Sequence, residues 1–192
     1  MKKILIIYYS NTGTTEKMAR KIARGVDSVE NAEAIIRTVP SIENANKKDL
    51  ANENNVLYAT NNDLSSCDGL IMGSPTHFGN MAAPMKFFLD KTTSEWFNNS
   101  LSGKPAGVFT STSSLHGGQE TTLITMMIPL IHHGMIISGI PYSENELNDT
   151  SSGGSPYGPT HFSGEKTNEL SKHESKLCIA FGIRIAELSK KI

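Results

Sequence analysis

The stretch from Ile4 to Val26 constrains the fold most. Ile4-Leu5-Ile6-Ile7-Tyr8-Tyr9 is an apolar run of strand length. It breaks into Ser10-Asn11-Thr12-Gly13-Thr14-Thr15 and then into a helical stripe of Met18, Ile22 and Val26. A strand, a hydroxyl-rich turn with one glycine and an amphipathic helix make the first βα unit of an α/β domain. The side-chain hydroxyls and the N–H groups of the first helical turn converge on one point, where the helix dipole favours negative charge. No basic residue lies between Ile4 and Glu16, so a phosphate at this turn is held by neutral donors.

Four further segments repeat the theme: Ala32–Thr38, Asp68–Gly73, Ala106–Ser111 and Met135–Ile140 read as strands. Between them Pro84 suits a first helical turn with Met85, Phe88 and Leu89 on one face, and Leu123, Met127, Leu130 and Ile131 mark a helix ending at His132-His133-Gly134. Pro129 should kink or shorten its last turn. Leu177, Phe181, Ile185 and Leu188 form a closing helix. Five strands alternating with helices predict a parallel sheet covered on both faces. Pro40–Ser66, rich in Asn, and Ser143–Gly164, rich in Ser, Gly and Pro, read as long loops of a single domain over residues 1–192.

Charge and cysteine usage narrow the function classes. With 18 basic and 19 acidic residues the net charge is −1, so no global field recruits nucleic acid or an acidic membrane. The longest apolar run, Leu123–Ile131, is interrupted by Thr and Pro and falls short of a membrane span. Lys2-Lys3 ahead of an apolar run has the outline of a secretory signal, but the run ends in Ser-Asn-Thr-Gly without a small-residue cleavage pattern. Cys67 and Cys178 have no metal or redox spacing and read as core thiols of a cytoplasmic protein. No metal site is expected.

In an open parallel sheet, ligands bind beyond the carboxyl ends of the strands. Three polar loops project there: residues 10–15, Gly73-Ser-Pro-Thr-His-Phe-Gly-Asn-Met81, and Ser111-Thr-Ser-Ser-Leu-His-Gly-Gly-Gln-Glu120. Glycines let backbone approach a planar ligand, and the set suits a flat hydrogen-bonding ring whose phosphate tail sits in the first loop. FMN has that shape. A dinucleotide fingerprint would need Gly-x-Gly-x-x-Gly, and a Walker loop Gly-Lys-Ser/Thr; neither is present.

Ser10–Thr15 resembles the phosphate loop of flavodoxins. The 73–81 loop, Trp96 to Lys104, Ser113–Glu120, His132–Met135 and Gly153-Gly-Ser-Pro-Tyr-Gly158 together resemble the WrbA-type NAD(P)H:quinone oxidoreductases. The resemblance implies a flavodoxin-like three-layer sandwich with a five-stranded parallel sheet in order 2-1-3-4-5. It also implies non-covalent FMN, NADH or NADPH as co-substrate, a quinone acceptor and a homotetramer. Carried over by position, Ser10, Asn11, Thr12, Gly13, Thr14 and Thr15 would hold the phosphate. Pro75, Thr76, His77, Phe78, Gly79 and Asn80 would border the ring. Ser111, Thr112, Ser113, Ser114, Leu115, His116, Gly117 and Gly118 would lie on its other side. His132 would reach a neighbouring subunit's flavin, and Trp96 would wall the pocket. Two departures stand out: Thr12 replaces an aromatic residue that contacts nicotinamide in the family, and His77 replaces an arginine beside the ring. Thr92-Thr93-Ser94-Glu95 also replaces a glycine pair. A flavodoxin-type electron carrier with a protein redox partner is the alternative reading.

Simpler roles are open for several of these residues. His132-His133 suit a helix C-terminus, and Trp96 suits either a lid or the core. His116 and His161 read as surface loop residues, Tyr157 as part of an active-site or subunit-contact loop, and Lys47-Lys48 and Lys190-Lys191 as solvated faces.

Overall fold

Ile4 to Tyr8 are all buried because the strand they form lies inside a sheet. In the computed structural model, which describes residues 1–45, 49–164 and 169–192, β1 (Lys2–Tyr8) pairs in parallel with β2 (Ala32–Thr38) on one side and β3 (Gly69–His77) on the other. Lys47-Lys48 lies outside the described residues. A continuous apolar run is what a strand covered on both faces requires. Its side chains divide by alternation: Ile4, Ile6 and Tyr8 enter one core, Leu5 and Ile7 the other.

Beyond β3 the chain reverses into β4 (Asn80–Met81), antiparallel to it. It then forms β5 (Pro105–Thr112), parallel to β3, followed by β6 (Ile136–Ile137) and β7 (Thr160–Phe162). The sheet order β2-β1-β3-β5-β6 is the expected 2-1-3-4-5 arrangement, with one correction. The fifth position is split. Only Ile136 and Ile137 pair with Pro105 and Ala106 at the start of β5, and β7 pairs with Thr110–Thr112 at its end. The chain leaves the sheet between them because Pro141 cannot donate to a ladder and the Ile140 N–H is taken by the Pro156 carbonyl at 2.9 Å.

Helix α1 (Thr14–Asp27) covers one face. α2 (Asn61–Ser66) occupies the end of the stretch expected to be loop, and a Thr60/Asp63 capping box starts it. α3 (Ala83–Asp90), with Pro84 in its first turn, is followed by the short α4 (Thr93–Phe97). α5 (Gln119–His132) carries Pro129 in its last turn, as expected. α6 (Glu146–Asp149) lies in the excursion between β6 and β7, and α7 (Lys172–Lys191) closes the chain. α1 and α7 share one core with Met18, Ile22, Phe181 and Ile185. α3 and α5 share the other with Met85, Leu123, Met126 and Leu130. Cys67 and Cys178 are buried free thiols, and burial pushes the Cys67 thiol up to about 11. No helix among the described residues is long and apolar enough to cross a membrane.

The two helices α1 and α7 meet backbone to backbone. A Cβ on Gly25 would sit 2.1 Å from the Ile179 carbonyl oxygen, and one on Gly182 2.1 Å from that of Ile22. Gly182→Val is therefore expected to cost about 1–3 kcal/mol, read as a lower denaturation midpoint in urea. An unchanged midpoint would contradict this close packing.

Candidate functional site

The chain leaves β1 at Tyr9, whose N–H donates to the Gly73 carbonyl at 3.0 Å, and reaches α1 through Gly13 at φ +86°. Glycine adopts that left-handed conformation without strain. Thr14 and Thr15 are buried despite their hydroxyls, and the Thr15 and Ser111 hydroxyls are 2.9 Å apart. Thr12 and Thr14 hydroxyls lie 3.4 Å apart, while Asn11 is exposed. The Ser10 Oγ is buried and has no hydrogen-bond partner. Such a group costs about 1–3 kcal/mol unless a ligand completes it. With the N-terminal end of α1 opening beside it, this turn fits a phosphate.

The second loop differs from expectation. It is not an open loop after Gly73: β3 continues to His77, and Phe78 (φ 53°) and Gly79 (φ 75°) turn the chain back into β4. Two consecutive left-handed residues make the tight hairpin geometry. Thr76 faces inward, its hydroxyl 3.1 Å from that of Thr110 and accepting from Thr122 at 3.2 Å. The Asn80 Oδ1 accepts from the Met81 N–H at 2.8 Å and from the Thr125 hydroxyl at 3.2 Å. These two side chains hold the hairpin, which leaves the backbone of Pro75–Phe78 and the exposed His77 and Phe78 to meet a ligand.

The third loop follows β5. Ser111 and Thr112 are buried, and Ser113, Ser114, Leu115 and His116 are exposed. The Gly117 N–H donates to the Ser114 carbonyl at 3.1 Å, and the Gln119 amide donates to the Leu115 carbonyl at 2.9 Å. A Cβ on Gly118 would sit 3.0 Å from the Gly79 Cα, so the hairpin tip and this loop abut. The Thr15–Ser111 bond and the Gly79–Gly118 contact join all three loops at one edge.

His132 and Trp96 are brought together elsewhere. Both line a cleft of about 470 Å³ with Leu89, Thr92, Pro129 and His133. It sits at the far end of α5, roughly 20 Å along the helix from Gln119 at 1.5 Å per residue. Within one chain neither residue meets the three loops. His133 Nε2 is 2.9 Å from the Thr92 hydroxyl; burial holds its imidazole below the usual range, opposed by Glu95 and reinforced by His132. Trp96 is half-exposed and packs edge to face on Phe97, centroids 4.8 Å apart.

His161 is a correction: it is not a surface loop residue. It is 1 % exposed, its Nδ1 is 2.8 Å from the Glu174 Oε2, and it stands beside Ser111 in the β5–β7 register. Burial raises the Glu174 carboxyl, but the His161 bond and the Ser171 and Phe162 N–H groups outweigh that and hold it at about 2. The sequence signal was Ser171-x-x-Glu174, a capping box. His116 is exposed as expected.

Comparison with known proteins agrees with this geometry. The model of a family described as NADPH-dependent FMN reductase matches residues 2–146. The crystal structure of a WrbA-like flavodoxin from Agrobacterium tumefaciens superposes with a TM-score of 0.72 at 22% identity, over 100% of this chain and 99% of that one. A flavodoxin from the domain Archaea gives 0.65 at 20% identity over 98% and 99%, respectively. Flavodoxin 1 from Bacillus cereus gives 0.64 at 19% identity over 97% and 98%. At such identities these likenesses establish the flavodoxin-like fold. With the family match spanning most of the sheet and all three loops, the chain belongs to the NADPH-dependent FMN reductase family.

Proposed function

We propose that the three-loop edge binds FMN non-covalently in an NAD(P)H:quinone oxidoreductase. The observation that carries the phosphate assignment is the buried Ser10 hydroxyl without a partner at the mouth of α1. Bound FMN supplies two-electron chemistry, accepting electrons from NADPH or NADH and delivering them to a quinone or a similar small-molecule acceptor. The chain's residues bind and orient. Ser10, Thr12 and the Gly13–Thr15 turn hold the phosphate by neutral donors, and the Thr15–Ser111 bond fixes that turn against the third loop. The Pro75–Phe78 backbone and the 111–118 loop border the ring, with Asn80 and Thr76 keeping the hairpin in register. No side chain need serve as a nucleophile. Purified FMN-loaded protein is expected to oxidise NADPH or NADH with benzoquinone in steady state; no turnover with either donor rejects this reading.

His77 stands where a permanently charged guanidinium would stabilise negative charge on the reduced ring. His77→Arg is expected to raise the midpoint potential by about 10–20 mV, an exposed-pair effect of about 0.5–1 kcal/mol. Potentiometric titration reads this, and a potential that falls or stays put contradicts the assignment of His77 to the ring edge.

A homotetramer is part of the same reading. Ile124, Ile128 and Ile131 are exposed at helical spacing on α5, and Trp96 and Phe97 are exposed nearby on α4. An apolar face of this kind suits self-association and would carry His132 toward a neighbouring subunit's flavin. Ile128→Glu is expected to shift the protein to smaller species in light scattering at equal concentration. An unchanged mass would remove α5 from the interface. The buried free thiols suit a reducing cytoplasm.

The flavodoxin-type Ser10–Thr15 loop favours a second reading, an electron carrier with a protein redox partner. The net charge of −1 gives such a carrier little field with which to steer one.

A further inference from the structure

On the opposite side of the phosphate turn from the ring-bordering loops lies a second compartment of about 290 Å³. Its walls come from the ends of β1 and β2 and from the Asn-rich stretch that follows, including Tyr9, Asn44, Asn52 and Tyr58. None of residues 75–80 or 111–118 lines it. Tyr8 and Ser10 both line it; the Tyr8 hydroxyl is buried without a hydrogen-bond partner, as is the Ser10 Oγ that the phosphate would complete. The Tyr8 side chain is 1 % exposed. Its hydroxyl lies close enough to Glu16 and Asn52 to feel both, yet makes no hydrogen bond of ordinary geometry to either. Burial first, and the Glu16 charge second, push the phenol well above its usual range, so it keeps its proton.

The rest of the wall says what could complete these groups. Glu16 is held in place by Arg20 at 2.6 Å and by the Asn54 amide at 3.0 Å, and Glu53 also faces the space. Ser10, Asn11 and Gly13 of the phosphate turn bound it on one side; away from that turn no lysine or arginine lines it among the described residues, so nothing there pairs with a second anion. Carboxylates accept from a sugar diol, as the acidic residue of a dinucleotide fold does from ribose. Tyrosine faces stack on bases whatever their sequence, and asparagine amides both donate and accept. We propose that this compartment is a nucleoside-binding subsite adjoining the phosphate turn, accepting an adenosine-type group that carries no 2′-phosphate. Two sources share that chemistry: the nucleoside end of a dinucleotide flavin, whose phosphates would extend from the turn, and a free nucleoside or nucleotide binding beside FMN.

The inference uses the proposed flavin site only to set which side is already occupied, and its test separates the two. Calorimetry of adenosine against FMN-loaded protein, and of FAD against FMN on apoprotein, gives the arms. Ser41→Tyr fills the space from a side chain that makes no cap hydrogen bond; Tyr8→Phe removes one orphan hydroxyl and guards against a Ser41 variant that fails to fold. Saturable adenosine binding that weakens about tenfold in either variant, the loss of one good hydrogen bond or contact, supports the subsite with a free nucleoside or nucleotide as its source. FAD binding at least about tenfold tighter than FMN, with the gain lost in Ser41→Tyr, supports it with a dinucleotide flavin as its source. Adenosine binding that neither variant changes, or no adenosine binding together with equal FAD and FMN affinities, overturns it. Failure of FMN to bind at all counts against the flavin reading alone, since adenosine can then be titrated against the same protein without it.

Discussion

Glu174→Ala is expected to destabilise the protein by about 3–5 kcal/mol, because each buried donor left without its acceptor costs about 1–3 kcal/mol. Glu174 is 1 % exposed and accepts from the His161 ring at 2.8 Å, the Gly153 N–H at 2.8 Å, the Phe162 N–H at 3.1 Å and the Ser171 N–H at 2.7 Å. Truncation leaves these donors buried with no acceptor. The same residue gives a pH signature. Its carboxyl sits at about 2 in the fold against an ordinary value of 4.5, so its contribution is complete above 4.5 and is lost as pH falls through about 2. Urea midpoints of wild type should fall across that window, and those of Glu174→Ala should fall less steeply. A loss under about 1 kcal/mol at neutral pH would contradict the pair's role. The pair also ties β7 to α7 beside Ser111, so the wild-type side chain supports the third loop from beneath.

Ser10→Ala is expected to weaken FMN binding by about 10- to 100-fold, since a hydrogen bond to a charged group contributes about 1.5–3 kcal/mol. The free protein should at the same time become slightly more stable, because its Oγ is buried without a partner. Opposite signs in the two readouts distinguish a ligand-binding hydroxyl from a structural one. Fluorescence titration of apoprotein with FMN reads the first and thermal unfolding of apoprotein the second. Equal FMN affinity would move the phosphate away from this turn.

The β1–turn–α1 unit was legible because both its periods are written locally, a continuous apolar run and then Met18, Ile22 and Val26. The parallel sheet and the gathering of three loops at one edge followed from the alternation, whereas the order of the strands was implied by the resemblance alone. What escaped was non-local or conformational. Ile136 to Ile140 reads as one strand-length segment, Ile-Ile-Ser-Gly-Ile, up to the residue before Pro141, and nothing in it says that β7 completes the fifth position. Phe78 adopts a left-handed conformation that its side chain does not announce. His161 is buried only because β7 sits against β5 and α7 delivers Glu174. Tyr8 reads as one more strand aromatic until the Asn-rich stretch closes over its hydroxyl. By contrast, Thr60-x-x-Asp63 and Ser171-x-x-Glu174 are local helix starts that the sequence does display.

The proposed two-electron cycle at the three-loop edge has to run with Thr12 in place of an aromatic contact to nicotinamide. The most direct test is anaerobic: the visible spectrum of FMN-loaded protein before and after a stoichiometric amount of NADPH, repeated with NADH, and then after benzoquinone. Bleaching of the flavin band by a nicotinamide donor and full recovery with the quinone are expected. No bleaching by either donor, with reduction by dithionite in two resolved one-electron stages, would contradict the cycle and mark an electron carrier instead.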